Sequence, residues 1–301
     1  MSDPPSTNDN PYALSTGNDE TAGHEQPIDD QNRPPAGIVT ARPASSCPDT
    51  MTRVSLSAGT IQEPKPWGFW ATTGWIVLSF IAMLAIGVAC IAIAAALDPR
   101  YSMMDLANRL QEGNGFVDSL GTLFQSLIIL PILFLAIRLR RFSVVNYLAL
   151  KLSGRRSILG WSLAGVVLYA CEDLVTYLCG YDIVHESMIT AYQTAGFLPL
   201  LLVVVIVIGP VTEELVCRGF MFKGIASSPL GTPGAIAITA AFWAVLHVQY
   251  EWFGIGVIVA SGIFLGIARA KTGSTIIPLM LHMLVNILAT MELGIVVSRT
   301  G

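Results

Sequence analysis

The sequence predicts an all-α polytopic membrane protein, a transmembrane helical bundle of about seven spans. Three observations carry that expectation. Charged residues make up only 13% of the chain, against about 25% in a soluble domain. Hydrophobic residues make up 53%. The apolar residues also gather into runs close to the roughly 20 residues that a helix needs to cross a bilayer.

Residues 1–66 stand apart from those runs. They hold ten of the seventeen prolines, and nine acids against four bases. Such a stretch buries too little apolar surface to offset its ordering entropy, so it is expected to be a disordered polar tail. It does not open with the basic and apolar regions of a signal peptide. Residues 67–301 are the expected membrane domain, with apolar runs at 67–97, 117–138, 157–179, 197–225, 233–249, 252–270 and 274–297. Gly209-Pro210 interrupts the fourth run and the fifth is short, so the count ranges from six to eight. Twelve acids against thirteen bases leave this body without the basic stripe that a nucleic-acid partner requires. The five cysteines form no CxxC pair, and four lie in apolar segments where a thiol packs as a small hydrophobe.

Lys and Arg set the orientation. Arg138, Arg140, Arg141, Lys151, Arg155 and Arg156 fill the connection after the second run, while 180–196 and 250–252 hold neither residue. Short loops rich in Lys and Arg stay cytoplasmic. The N-terminus is therefore expected inside and the C-terminus outside, in an integral membrane protein whose first partner is the lipid bilayer. Those arginines also suit anionic headgroups.

Ionisable residues inside spans cost about 2.5–3.5 kcal/mol each at a helix centre, so each one needs a reason. The set comprises Glu172, Asp173, Glu213, Glu214, Arg218, His247, His282 and Glu292, with Asn286 as a polar companion. Glu214 and Arg218 are i, i+4 with the acid first, the favourable order for an ion pair. Glu213 points about 100° away and is free for other work. Two carboxylates crowded in low dielectric push one pKa up, towards the range of a general base. His282 and Asn286 share a face at i, i+4, so Asn286 can orient the imidazole or hold an oxyanion. Glu213, His247 and His282 also make a two-His, one-Glu ligand set for zinc or another divalent metal, with the second carboxylate left to activate water. Polar contacts between helices explain a single buried His well. They explain six such residues on three segments less well. Glu172, Asp173 and Glu292 lie towards helix ends and are expected to reach water. Cys217 shares the Glu214 face, but its acidic neighbours disfavour a thiolate, and Cys217→Ala is expected to stay active.

Three motifs in order, EExxxR (Glu213, Glu214, Arg218), an aromatic-xxx-His (Trp243 to His247) and HxxxN (His282 to Asn286), resemble the CAAX-protease and bacteriocin-processing family of intramembrane proteases, the group of the type II CAAX prenyl endopeptidases. The resemblance covers 197–297. Trp243 departs from it, because the family usually has Phe there, and a change in packing is the expected consequence. The resemblance implies a helical membrane fold with a polar cavity opening towards the cytosol. It implies a water activated by Glu213, with His247 and His282 at the same centre and Asn286 on the oxyanion. Metal-dependent and metal-free glutamate chemistry are both open. The implied partner is a membrane-associated protein or peptide substrate, with prenylated CAAX proteins as one class. Two rival readings use the same residues: an ion-coupled transporter, which would ideally show a second broken helix, and a non-enzymatic immunity or binding protein on the same scaffold. One difficulty concerns depth. The run 233–249 places His247 near the outer surface, whereas Glu213 and His282 fall nearer mid-membrane.

Overall fold

A computed structural model describes residues 64–97, 102, 104 and 114–300. The expected tail lies, up to residue 63, outside the described residues. Within them the helix is the one regular element, joined by turns and short loops, and there is no strand. The elements are α1 (Phe69–Leu97), α2 (Gly115–Leu139), α3 (Val144–Tyr147), α4 (Arg155–Leu178), α5 (Glu186–Gln193), α6 (Leu198–Ala226), α7 (Gly231–Val245), α8 (Trp252–Thr272) and α9 (Ile276–Thr300). Among the described residues, α1, α2, α4, α6, α8 and α9 are long and apolar enough to cross a membrane. Apolar residues surround these helices instead of forming one stripe. Val77, Ile81 and Leu84 of α1 and Leu127 and Leu135 of α2 remain exposed, as lipid-facing side chains do.

Helix ends follow local chemistry. Asn114 caps α2 by accepting from the backbone N–H groups of Phe116 and Val117. Ser143 caps α3 through the N–H of Asn146. At the end of α8, Gly273 takes a left-handed conformation (φ 61°) and returns its N–H to Arg269, which stops the helix. The chain then binds the α3 region: the Ser274 hydroxyl donates to the Lys151 carbonyl, and the Thr275 N–H donates to Ala149 at 3.0 Å.

The core runs through the middle of the bundle. Leu133 and Ile137 of α2, Tyr147, Phe220 of α6, and Ile277 and Leu281 of α9 are all at most 2% exposed. At the other end of the bundle α5 closes onto α2. The Gly115 N–H donates to Thr194 Oγ1 at 2.8 Å, and a Cβ on Gly115 would lie 1.9 Å from the Ala191 carbonyl oxygen. That obstacle is backbone, so Gly115→Ala must push α5 off α2. The expected loss is about 1–3 kcal/mol, read as a lower melting temperature of the detergent-solubilised protein.

The structure explains the short fifth run. Helix α7 has 15 residues, or about 22 Å at 1.5 Å per residue, against a hydrocarbon core of about 30 Å. It starts beside the end of α6 and stops before the far surface. Leu246 to Gln249 form a turn beyond it. His247 therefore sits below the outer surface, and the depth difficulty disappears.

Candidate active site

Helix α6 carries the first motif, and it is not a uniform helix. Val204–Ile208 and Leu215–Met221 are π-helical, and between them Gly209–Glu214 is α-helical. Wide turns of this kind concentrate at functional sites. Pro210 gives one cause. In the i→i−5 pattern, Gly209 donates to Val204, and residue 210 would donate to Val205, but proline has no N–H. Asn286 supplies the missing donor: its Nδ2 donates to the Val205 carbonyl at 2.7 Å. Thr212 supports the same turn by donating to Ile208 at 2.9 Å and meeting Ser126 of α2 at 2.8 Å.

The two glutamates separate as their helical directions require. Glu214 is fully buried and takes Arg218 Nη1 on Oε1 at 2.8 Å. Arg218 is equally buried. It donates from Nη2 to the Gly262 carbonyl of α8 at 3.0 Å and lies over the Trp243 ring, 5.0 Å from its centroid. Glu213 has a side chain 28% exposed, and it points into a cavity. Its Oε2 accepts from the Trp243 indole N–H at 2.5 Å.

His282 lies between the glutamates. Its Nδ1 is 3.1 Å from Glu214 Oε1, and its Nε2 is 3.9 Å from Glu213 Oε2. An ionised carboxylate only accepts, so Nδ1 donates to Glu214 and the ring turns its Nε2 towards Glu213. His247 obeys the same rule. Its Nδ1 meets the Trp243 carbonyl at 2.8 Å, which leaves its Nε2 unprotonated in the neutral ring. Trp243 connects the two rings, at 5.2 Å from His247 and 5.1 Å from His282, both edge to face.

Four of the six residues expected from the motifs, Glu213, Arg218, His247 and His282, meet one indole, and Glu214 joins them through Arg218 and His282. Asn286 lines the same cavity, and three corrections follow. Asn286 does not orient the His282 imidazole, because Glu214 does so. The donor of Asn286 is partly spent on Val205, leaving one amide N–H. Glu213, His247 and His282 are not brought together as three ligands: His247 is turned onto the Trp243 backbone, and no group of three or more His, Cys, Asp or Glu side chains among the described residues converges as a metal site. The donor set as folded does not fit a three-ligand zinc centre. Glu172 and Asp173, expected at a wet helix end, instead line the cavity. Ser261 donates to Glu172 at 2.7 Å, and Tyr169 donates to Glu292 at 2.5 Å. Cys217 is buried in the core and does not line that cavity.

Trp243 is the residue whose contacts motif reading undervalued. Its signal was present, since indole carries an N–H that phenylalanine lacks.

The cavity has a volume of about 1030 Å³, enough for a peptide segment. Glu213, Trp243, Leu281 and His282 form its floor, and Asp182, Glu186, Gln249 and Glu251 stand at its exposed rim. The rim lies at the α5 end of the bundle, away from the loops around Arg138 and Arg155. A cavity facing the cytosol and arginine-rich loops facing the cytosol were both expected, and this geometry makes the two incompatible.

Residues 195–288 match the family model described as type II CAAX prenyl endopeptidase Rce1-like. No curated protein and no solved structure matches the chain. The match spans all three motifs, and over 195–288 the chain is similar to that family of peptide-bond hydrolases.

Proposed function

We propose that the chain is a glutamate-type endopeptidase in which Glu213 activates water for direct attack on a peptide carbonyl of a membrane-associated polypeptide. One observation supports this above the others: of two adjacent carboxylates, Glu214 is paired with buried Arg218, while Glu213 faces the cavity, with His282 Nε2 at 3.9 Å. Glu213 takes a proton as the water oxygen bonds to the scissile carbon. The same proton passes to the departing amine as the C–N bond breaks, so no covalent enzyme intermediate forms. The remaining N–H of Asn286, and His247 when protonated, meet the oxyanion.

The test offers the protein, purified into nanodiscs, a panel of prenylated and transmembrane peptides, with and without a chelator, and reads products by mass spectrometry. Products that persist with chelator and vanish in Glu213→Gln are expected. Products lost with chelator would replace the glutamate mechanism with a metal one. Ion flux dependent on Glu213, with no cleavage, would support the transporter reading.

Trp243→Phe tests the indole. It keeps the aromatic packing and removes the donor to Glu213. A hydrogen bond to a charged group contributes about 1.5–3 kcal/mol, so kcat should fall by about ten- to a hundredfold with KM nearly unchanged. Unchanged kcat would reduce Trp243 to a packing residue.

A further inference from the structure

The cavity wall carries a single sign of charge. Above Glu213 at the floor stand Glu172 and Asp173 of α4, Asp118 of α2, Asp182, Glu186 of α5 and Glu251, and no Lys or Arg lines the cavity. These acids come from separate elements and surround the opening. Asp118, Asp182, Glu186 and Glu251 are exposed. Among the described residues, the ion pairs involve Glu213 and Glu214 and none of the wall acids.

The opposite charge lies at the other end of the bundle. Two sets of contacts define the ends. Arg140 stacks over Trp67 at 4.2 Å, and the Ser274 and Thr275 contacts with Lys151 and Ala149 join the entry of α1, the α2–α4 connection and the α8–α9 turn. At the far end Gly115 bonds Thr194, Tyr181 stacks on Phe253 at 4.3 Å, and His185 lies 4.7 Å from Tyr250. Arg138, Arg140, Arg141, Lys151, Arg155, Arg156, Lys223 and Lys271 belong to the first end; among the described residues Arg299 falls at the second. The cavity lining draws on residues within 181–192 and 247–254 and on none from 138–156 or 266–280.

Loops rich in Lys and Arg remain on the cytoplasmic side. We propose that the cavity opens on the non-cytoplasmic face of the membrane and admits a cationic polypeptide segment there, for cleavage at Glu213. The substrate class rests on the proposed role of Glu213; the direction of opening does not. A cleft lined by one sign of charge focuses its field and raises the local concentration of the opposite charge, accelerating capture by about 10- to 1000-fold at low salt. A protein anchored in the cytoplasmic leaflet would meet the basic end of the bundle, where the cavity does not open.

Two measurements on the full chain test this. In a variant with Cys47, Cys90, Cys171 and Cys179 changed to Ser, a single cysteine is placed at Glu251 or at Arg155, and intact bacterial cells expressing it are treated with a membrane-impermeant maleimide. Glu251→Cys should label in intact cells and Arg155→Cys only after permeabilisation. The reverse pattern overturns the outward opening. If Glu251→Cys does not reach the membrane fraction, Gln249→Cys reports the same rim. The second measurement uses Glu213→Gln in nanodiscs and fluorescent peptides of equal length, one rich in Lys and one rich in Glu. The Lys peptide should bind at least about tenfold more tightly at low salt, with the ratio shrinking as salt rises. Equal binding overturns the cationic substrate. Neither readout requires turnover, so a failure of the protease reading appears separately, as wild-type protein that cleaves no peptide while labelling and binding hold.

Discussion

Glu213→Gln is expected to leave a folded, membrane-integrated protein whose cleavage rate falls by at least about 10²–10⁴, the range for loss of a general base. Glutamine is nearly isosteric, and its carbonyl still accepts the Trp243 indole N–H that holds Glu213 at 2.5 Å. The site is partly wet, with the Glu213 side chain 28% exposed, so stability should change by about 0.5 kcal/mol or less. Glu214→Gln should behave in the opposite way. It withdraws the partner of a fully buried guanidinium, so its first effect is on folding. Initial rates by mass spectrometry and melting of the solubilised protein separate the two. If Glu213→Gln retained more than about a tenth of the wild-type rate, Glu213 would not be the base.

Much of this centre could be read from spacing, because spacing on a helix is geometry. The i, i+4 order of Glu214 and Arg218 anticipated the 2.8 Å ion pair. The hydropathy runs anticipated the spanning helices to within a few residues. Spacing misled where tertiary partners compete with helical neighbours. His282 and Asn286 share a face, yet they bond Glu214 and Val205, 68 and 81 residues away. Hydropathy misled at 246–249, because Leu246 and Val248 are apolar and still lie in a turn. The length of α7, and with it the depth of His247, depended on that turn. The end at which the cavity opens is not a property of any motif. It follows from how 181–192 and 247–254 meet in space, which a linear pattern does not encode.

Arg218→Met is expected to damage folding more than any other single change at the site. It leaves Glu214 with no exposure and only His282 Nδ1 as partner, and Glu214 Oε2 already lacks a hydrogen-bond partner among the described residues. It also takes the donor from the Gly262 carbonyl and the cation from the Trp243 face. Breaking one side of a buried ion pair costs about 3–5 kcal/mol, largely because the other charge remains stranded. The double variant Glu214→Gln/Arg218→Met removes both charges, keeps an acceptor for His282, and should recover more than half of that loss. Its cleavage rate should remain well below wild type, because His282 then lacks the carboxylate that holds its proton on Nδ1. A double-mutant cycle on unfolding in detergent measures the coupling. Additive losses would mean that Arg218 serves packing alone. Strong coupling without recovered activity would mean that the pair neutralises Glu214 in the interior, so that Glu213 is the one carboxylate of the two free to take a proton.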